Sequence, residues 1–355
     1  MSSGSGEAVP SAILASASEL KGGESLRADR MFRFSVLQRV EFRNFRSLAK
    51  VPLELGKFNV LVGPNNSGKS NIMEAVMFLY NGMAGGGNAA YNFLAQKGDT
   101  RKALFYGADA ESDEIRVRAA FSEIGRNWEY SCYATVSRGG GEDGAVDKAR
   151  ELARRSQWRY FRFVPAHMRA PQQIAEDYTL ADDGSNLSRV LHSLWNKRDK
   201  RFVEIESLLR AGVNDVEHLA TPIVGGAFTQ VAIKEKTFGE PFPATVLSDG
   251  TLALLAHLVA LSGSPPPGLA CFEESENFVH PHIIEHLIDV LKKSPVQILM
   301  STHSPTFLNS VLPEDLIIVA KKDGRTQCSR LKKPEKYRDQ ALGDLWFTGE
   351  LGGVP

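Results

Sequence analysis

Residues Gly63-Pro-Asn-Asn-Ser-Gly-Lys-Ser70 place G-x-x-x-x-G-K-S spacing between two strongly patterned segments. Before them, Phe58-Asn-Val-Leu-Val62 reads as a buried strand; after them, Asn71-Ile-Met-Glu-Ala-Val-Met-Phe-Leu79 reads as a helix. A strand, a glycine turn and a helix in this order form a cradle for phosphate. Gly63 and Gly68 let backbone N–H groups turn inward, and the helix N-terminus adds partial positive charge at the same point. Lys69 can then reach β- and γ-phosphates, and the Ser70 hydroxyl can ligate Mg²⁺. The pattern therefore predicts an α/β domain with a nucleotide at the C-terminal end of a central strand.

Charge narrows the class further. Lysine and arginine total 42 and so do aspartate and glutamate, so the chain has no bulk positive charge to draw it to nucleic acid. Cys132, Cys271 and Cys328 lie far apart, which suits a reducing cytoplasm and offers no disulfide or zinc framework. No apolar run approaches the roughly 20 residues that span a bilayer, so a cytoplasmic location without membrane contact is expected.

Along the chain, residues 1–30 are rich in Ser, Gly, Ala and Glu and read as a disordered tail, with Met31 as a candidate natural start. Residues 31–170 form the first lobe, carrying the phosphate loop and antiparallel strands at Glu114–Phe121 and Trp128–Val136. Gly82–Gly87 is expected to be flexible and Gly139–Gly144 to be a turn or open loop. Residues 171–240 read as a mostly helical, polar lid, with Leu187, Val190, Leu191 and Leu194 on one face. Residues 241–355 return to strand–helix alternation. There, Leu269–Phe272 and Val296–Met300 read as buried parallel strands joined by an amphipathic helix at Ile283–Leu291.

Three later motifs complete a nucleotide site. Leu269-Ala-Cys-Phe-Glu-Glu274 is an apolar strand ending in two carboxylates: Glu273 for the metal, and Glu274 to orient and deprotonate an attacking water. Val246-Leu-Ser-Asp-Gly-Thr251 precedes a strongly apolar helix. Ser301-Thr-His303 places a histidine at a strand end, where it can donate to a γ-phosphate.

In order and spacing, these residues resemble the ABC-type ATPases of the SMC, RecF and OLD branch of the P-loop NTPases. Gly63–Ser70 matches Walker A, Leu247–Thr251 the ABC signature, Glu273–Glu274 Walker B with the catalytic glutamate, Glu276–Pro281 the D-loop, and His303 the switch histidine. Softer matches are Phe42–Ser47, Asp183–Leu187, and the closing Leu342–Phe347 with Gly352 and Gly353. The resemblance implies an ABC-type head: a mixed or parallel core sheet flanked by helices, an antiparallel β subdomain and a helical insert. It implies ATP and Mg²⁺ as cofactors, with Ser70 and Glu273 on the metal and Glu274 and His303 as catalytic residues. Nucleotide contacts fall on Gly63, Pro64, Asn65, Asn66, Ser67, Gly68, Lys69, Ser70, Asn71 and Arg46. Ser248 and Gly250 would reach the γ-phosphate held by a second copy, so ATP acts as a dimer clamp.

Departures from that pattern bear on rate. Glu273 stands where Asp is usual, Ser275 where Pro is usual, and Asp249 and Thr251 replace Gly and Gln of the signature. Slow hydrolysis is expected. Gln172 and Gln173 are candidates for the Q-loop. His280, His282 and His286 lack the order of a zinc helix. Arg150, Arg154, Arg155, Arg159 and Arg162 interleave with Trp158, Tyr160 and Phe161, a pattern that either binds nucleic acid or forms one solvated face. The function implied is a homodimerising ATPase switch in a bacterial defence or DNA-maintenance system. Because no nuclease-like segment follows His303, an effector nuclease or toxin is expected as a separate partner. The alternatives are a RecF-like repair ATPase on DNA and, third, a transporter's ATP-binding subunit.

Overall fold

The computed structural model describes residues 35–98, 100–105, 113–123, 126–135 and 139–351. The expected tail, Met31, Phe32, Val136, Gly352 and Gly353 lie outside them.

Two sheets organise the chain. The first strands, β1 (Val36–Phe45) and β2 (Leu48–Glu54), pair as a hairpin, and β3 (Phe58–Val62) leaves for the second sheet. Strands β4 (Glu114–Glu123), β5 (Arg126–Thr135) and β6 (Gly139–Gly144) complete an antiparallel sheet in the order β2-β1-β4-β5-β6. The second sheet adds β7 (Trp158–Phe161), β8 (Leu269–Glu273), β9 (Gln297–Thr302), β10 (Leu316–Lys322) and β11 (Arg325–Arg330), in the order β11-β10-β3-β9-β8-β7. All its pairings are parallel except β10 with β11. The middle strands β3, β8 and β9 are buried along their whole length, as parallel strands covered on both faces must be.

The pleat of β3 divides the core. Val60 and Val62 enter one apolar cluster and Leu61 the other. Leu61's side holds α1 (Lys69–Gly85), α2 (Gly87–Gln96), α3 (Val146–Arg155) and the inner face of the antiparallel sheet. The opposite side holds α4 (Leu187–Asn196), α5 (Lys200–Gly212), α6 (Asp249–Leu261) and the crossover helix α7 (Pro281–Lys293). A last short helix, Leu342–Phe347, closes this side with a fully buried Trp346.

Three local expectations are corrected. Gly82–Gly85 is helical, not flexible, and Gly139–Gly144 is an edge strand, not an open loop. Close approach explains both. A Cβ on Gly82 would lie 2.7 Å from that of Cys132, and one on Gly87 would lie 2.1 Å from the Gly141 nitrogen. Residues 171–240 are helical only in α4 and α5. Five short strands lie in the rest, and Leu187, Val190, Leu191 and Leu194 are buried in the same cluster as Phe272.

Candidate functional site

The phosphate loop begins where β3 meets the backbone of β10. A Cβ on Gly63 would stand 2.1 Å from the Val319 carbonyl oxygen, so only glycine fits. Asn66 and Gly68 take positive φ, at 62° and 109°, and α1 starts at Lys69. Its first-turn N–H groups have no carbonyl within the helix to bond, so they face the loop's concavity. Beneath the loop, the Thr326 hydroxyl donates to the Ser67 carbonyl at 2.8 Å and lies 2.7 Å from Ser47 Oγ, which accepts from Asn71 Nδ2 at 2.7 Å. A Cβ on Gly68 would strike Thr326 Oγ1 at 2.1 Å, so this brace sets the loop's height. Sequence reading missed Thr326, which carries no motif. Ser47 was visible only as the end of Phe42–Ser47.

Lys69 is buried and folds back, its Nζ donating to the carbonyls of Gly63 at 2.7 Å and Pro64 at 3.1 Å. Burial pulls its pKa down, opposed by Glu274, Glu276 and Glu273. Arg46 reaches α1, with Nη2 2.7 Å from Glu74 and Nη1 3.4 Å from Asn71 Oδ1.

The carboxylates arrive on β8. Register sets Glu273 against Ser301 of β9, and Cys271 against Tyr160 of β7. Glu273 accepts hydrogen bonds from the Ser70 hydroxyl on one oxygen and from the Tyr160 hydroxyl on the other, and Arg162 Nε lies 3.8 Å away. Burial, then the Glu273 contact, raises the Tyr160 pKa, so the phenol stays a donor. Ser70 and Glu273 form an oxygen pair of the kind a hard divalent cation takes, and the buried Ser67 Oγ has no hydrogen-bond partner among the described residues. Both features fit a loop built for phosphate and Mg²⁺.

Glu274 follows in a left-handed conformation, φ 46°, its N–H bonded to the Ser301 carbonyl at 3.1 Å. Such backbone is costly for a non-glycine residue and is typical of functional turns. Its Oε1 lies 3.4 Å from His303 Nδ1, an ion-pair distance without hydrogen-bond geometry. Glu276 is buried, and burial pushes its pKa up to about 7 against an opposing interaction with Thr302. The fold thus gathers Lys69, Ser70, Glu273, Glu274 and His303 at one end of the parallel sheet.

The signature stands apart. Ser248 caps α6 by accepting from the Thr251 N–H at 3.1 Å, and a Cβ on Gly250 would meet the Phe278 carbonyl at 2.8 Å. Among the described residues, no hydrogen bond or ion pair joins residues 248–251 to Gly63–Ser70. Gln172 and Gln173 pair with Thr229 and Phe228 respectively, in a short separate sheet, and no hydrogen bond among the described residues joins them to Glu273 or Glu274. In the basic–aromatic segment Arg150, Arg155, Arg159 and Arg162 each face a carboxylate, while Trp158 and Phe161 are buried. The aromatic side of that segment thus packs inward, while Arg154, Arg155 and Arg162 stay exposed. His286 Nε2 donates to the Leu208 carbonyl at 2.9 Å.

A glycine loop at the end of a central parallel strand, carboxylates on the second strand away and an antiparallel subdomain against the loop helix define a P-loop ATPase head of the ABC and SMC type. A family model described as "AAA domain, putative AbiEii toxin, Type IV TA system" matches residues 58–309, and the chain belongs to that family. Its fold is similar to an Smc head bound to the C-winged helix domain of ScpA, at TM-score 0.61 and 16% identity, covering 84% of this chain and 98% of that one. It is also similar to the Pyrococcus furiosus Smc head bound to the C-terminal domain of ScpA, at TM-score 0.59 and 13% identity over 85% and 98% of the two chains. The Thermotoga maritima SMC head matches at TM-score 0.53 and 13% identity over 83% and 99%. In sequence, a 44-residue stretch is 48% identical to the chromosome partition protein Smc of Methanocaldococcus jannaschii, spanning 12% of this chain and 4% of that protein.

No described helix is long and apolar enough to cross a membrane.

Proposed function

We propose that this chain binds ATP with Mg²⁺, hydrolyses it, and uses it to clamp two copies together as a switch acting on a partner effector. The observation that carries this reading is the convergence of Lys69, Ser70, Glu273, Glu274 and His303, from three separate segments, at one end of the parallel sheet. Lys69 moves from the Gly63 and Pro64 carbonyls to the phosphates. Ser70 and Glu273 would hold the cation, which would supply charge neutralisation for the phosphates. Glu274 orients the attacking water and takes its proton, and His303 steadies Glu274 or donates to the γ-phosphate. Asn71 and Arg46 border the nucleotide. Among the described residues, Ser248 and Gly250 make no hydrogen bond or ion pair with their own loop, which supports their facing the nucleotide of a second copy.

The family's type IV toxin–antitoxin description supports a defence role, and ScpA-bound Smc heads offer a precedent for a separate partner on such a head.

Two variants test the reading. Lys69→Ala should lose ATP binding in an equilibrium nucleotide assay; retained binding rejects the loop assignment. Glu274→Gln should become a dimer on ATP addition, read by light scattering. A monomer at saturating ATP rejects the clamp.

A further inference from the structure

An aspartate in a turn meant to face phosphate needs a physical account. Asp249 occupies the first position of α6, directly after the Ser248 cap. There it complements the helix dipole, but it also cancels the positive end that the turn would offer an anion. Arg169 resolves the conflict. Its Nη2 lies 2.5 Å from Asp249 Oδ1, and its Nη1 donates to the carbonyls of Ala244 at 2.7 Å and Thr245 at 3.2 Å. The Arg169 carbonyl in turn accepts from Gln230 Nε2 at 2.8 Å. One guanidinium thus neutralises the aspartate and ties down the chain leading into the cap.

We propose that Arg169 is a positioning residue for the signature turn. It masks Asp249 and fixes residues 244–248, so that Ser248 and Gly250 can meet the γ-phosphate of a nucleotide held by a second copy. This rests on the clamp reading above.

Charge suppression tests it in the Glu274→Gln background. Arg169→Ala should weaken ATP-induced dimerisation about tenfold, because an unmasked carboxylate then opposes the phosphate. Nucleotide binding by the monomer should be unchanged, since that site belongs to the chain's own loop. Adding Asp249→Gly should recover most of the loss: it removes the exposed charge without restoring the tie to Ala244 and Thr245. Dimerisation of Arg169→Ala equal to its parent overturns the proposal. So does a double variant as weak as Arg169→Ala, which would make the arginine's role packing alone. A Glu274→Gln parent that fails to dimerise overturns the clamp reading and this inference together.

Discussion

Glu273 is longer by one methylene than the aspartate usual at its position, and its two contacts give that length a use. One oxygen reaches Ser70 while the other is held by Tyr160 from the neighbouring strand. Tyr160→Phe keeps the ring packing and deletes the donor. We expect it to raise the Mg²⁺ concentration for half-maximal hydrolysis at least about tenfold, the range for losing a group that orients a metal ligand. Metal-free nucleotide binding should stay unchanged. A metal titration of turnover that overlays the wild-type curve would reject this. Glu276 makes a separate prediction. Burial raises its pKa to about 7 in the fold, against an ordinary value near 4.3. Between those values the native state holds a proton that the unfolded chain releases, so this group's contribution to stability is lost as pH rises through the window. Glu276→Gln removes that loss. It should be more stable than wild type at pH 8, by up to about 3 kcal/mol, and nearly equal to it at pH 4.5, as measured by urea denaturation. His257, neutral with its pKa pushed down to about 4 by burial, has the opposite slope but is common to both proteins and cancels in the difference. Lys69, Ser70, Glu273, Glu274 and His303 were legible because each sits at a fixed offset from the end of an apolar strand. Tyr160 was not, because its contact joins residues 113 apart in sequence and depends on β7 lying beside β8.

At the scale of elements, the glycine clusters show where composition misleads. Glycine in sequence suggests freedom, yet here Gly82, Gly87 and Gly141 are contact surfaces. The start of α2 rests on the backbone of β6, and a Cβ on Gly141 would lie 2.2 Å from the Tyr133 hydroxyl. Nothing local distinguishes a glycine chosen for a loop from one chosen for close approach, since the deciding neighbour is distant in the chain. Gly87→Ala therefore pits two effects against each other. Alanine is a better helix former by about 1 kcal/mol, but its methyl would overlap β6 backbone that is hydrogen-bonded along β5. Overpacking should win, with a net loss of about 1–3 kcal/mol, seen as a lower denaturation midpoint at unchanged m-value. An equal or higher midpoint would show that β6 yields. Residues 171–240 misled for a related reason. An amphipathic helix such as α4 has the same pattern whether its apolar stripe covers a lid or enters the core, and here it enters the core.

At the scale of the whole molecule, the parallel sheet separates two halves of chemistry within one chain. Gly63–Ser70 and the two carboxylates occupy one end of the sheet, while Ser248–Thr251 opens α6 with no polar contact to them among the described residues. A site completed by a second copy requires a two-fold, self-complementary interface, in which each chain lends its signature to the other's loop. That symmetry makes a prediction no single variant can. Lys69→Ala spoils the loop of its own chain, and Ser248→Arg spoils the signature it offers its neighbour, with the cap of α6, but leaves its own loop intact, so either homodimer has no intact site. Mixed in equal amounts, they form heterodimers in which the loop of the Ser248→Arg chain meets the intact signature of the Lys69→Ala chain. Random pairing makes half of the dimers mixed, each with one working site of two, so hydrolysis should return to about a quarter of the wild-type rate. ATPase measured across mixing ratios should then peak at equal amounts. If Ser248→Arg alone hydrolyses at the wild-type rate, or the mixture is no more active than its components, the site is complete within one chain and the dimer clamp falls.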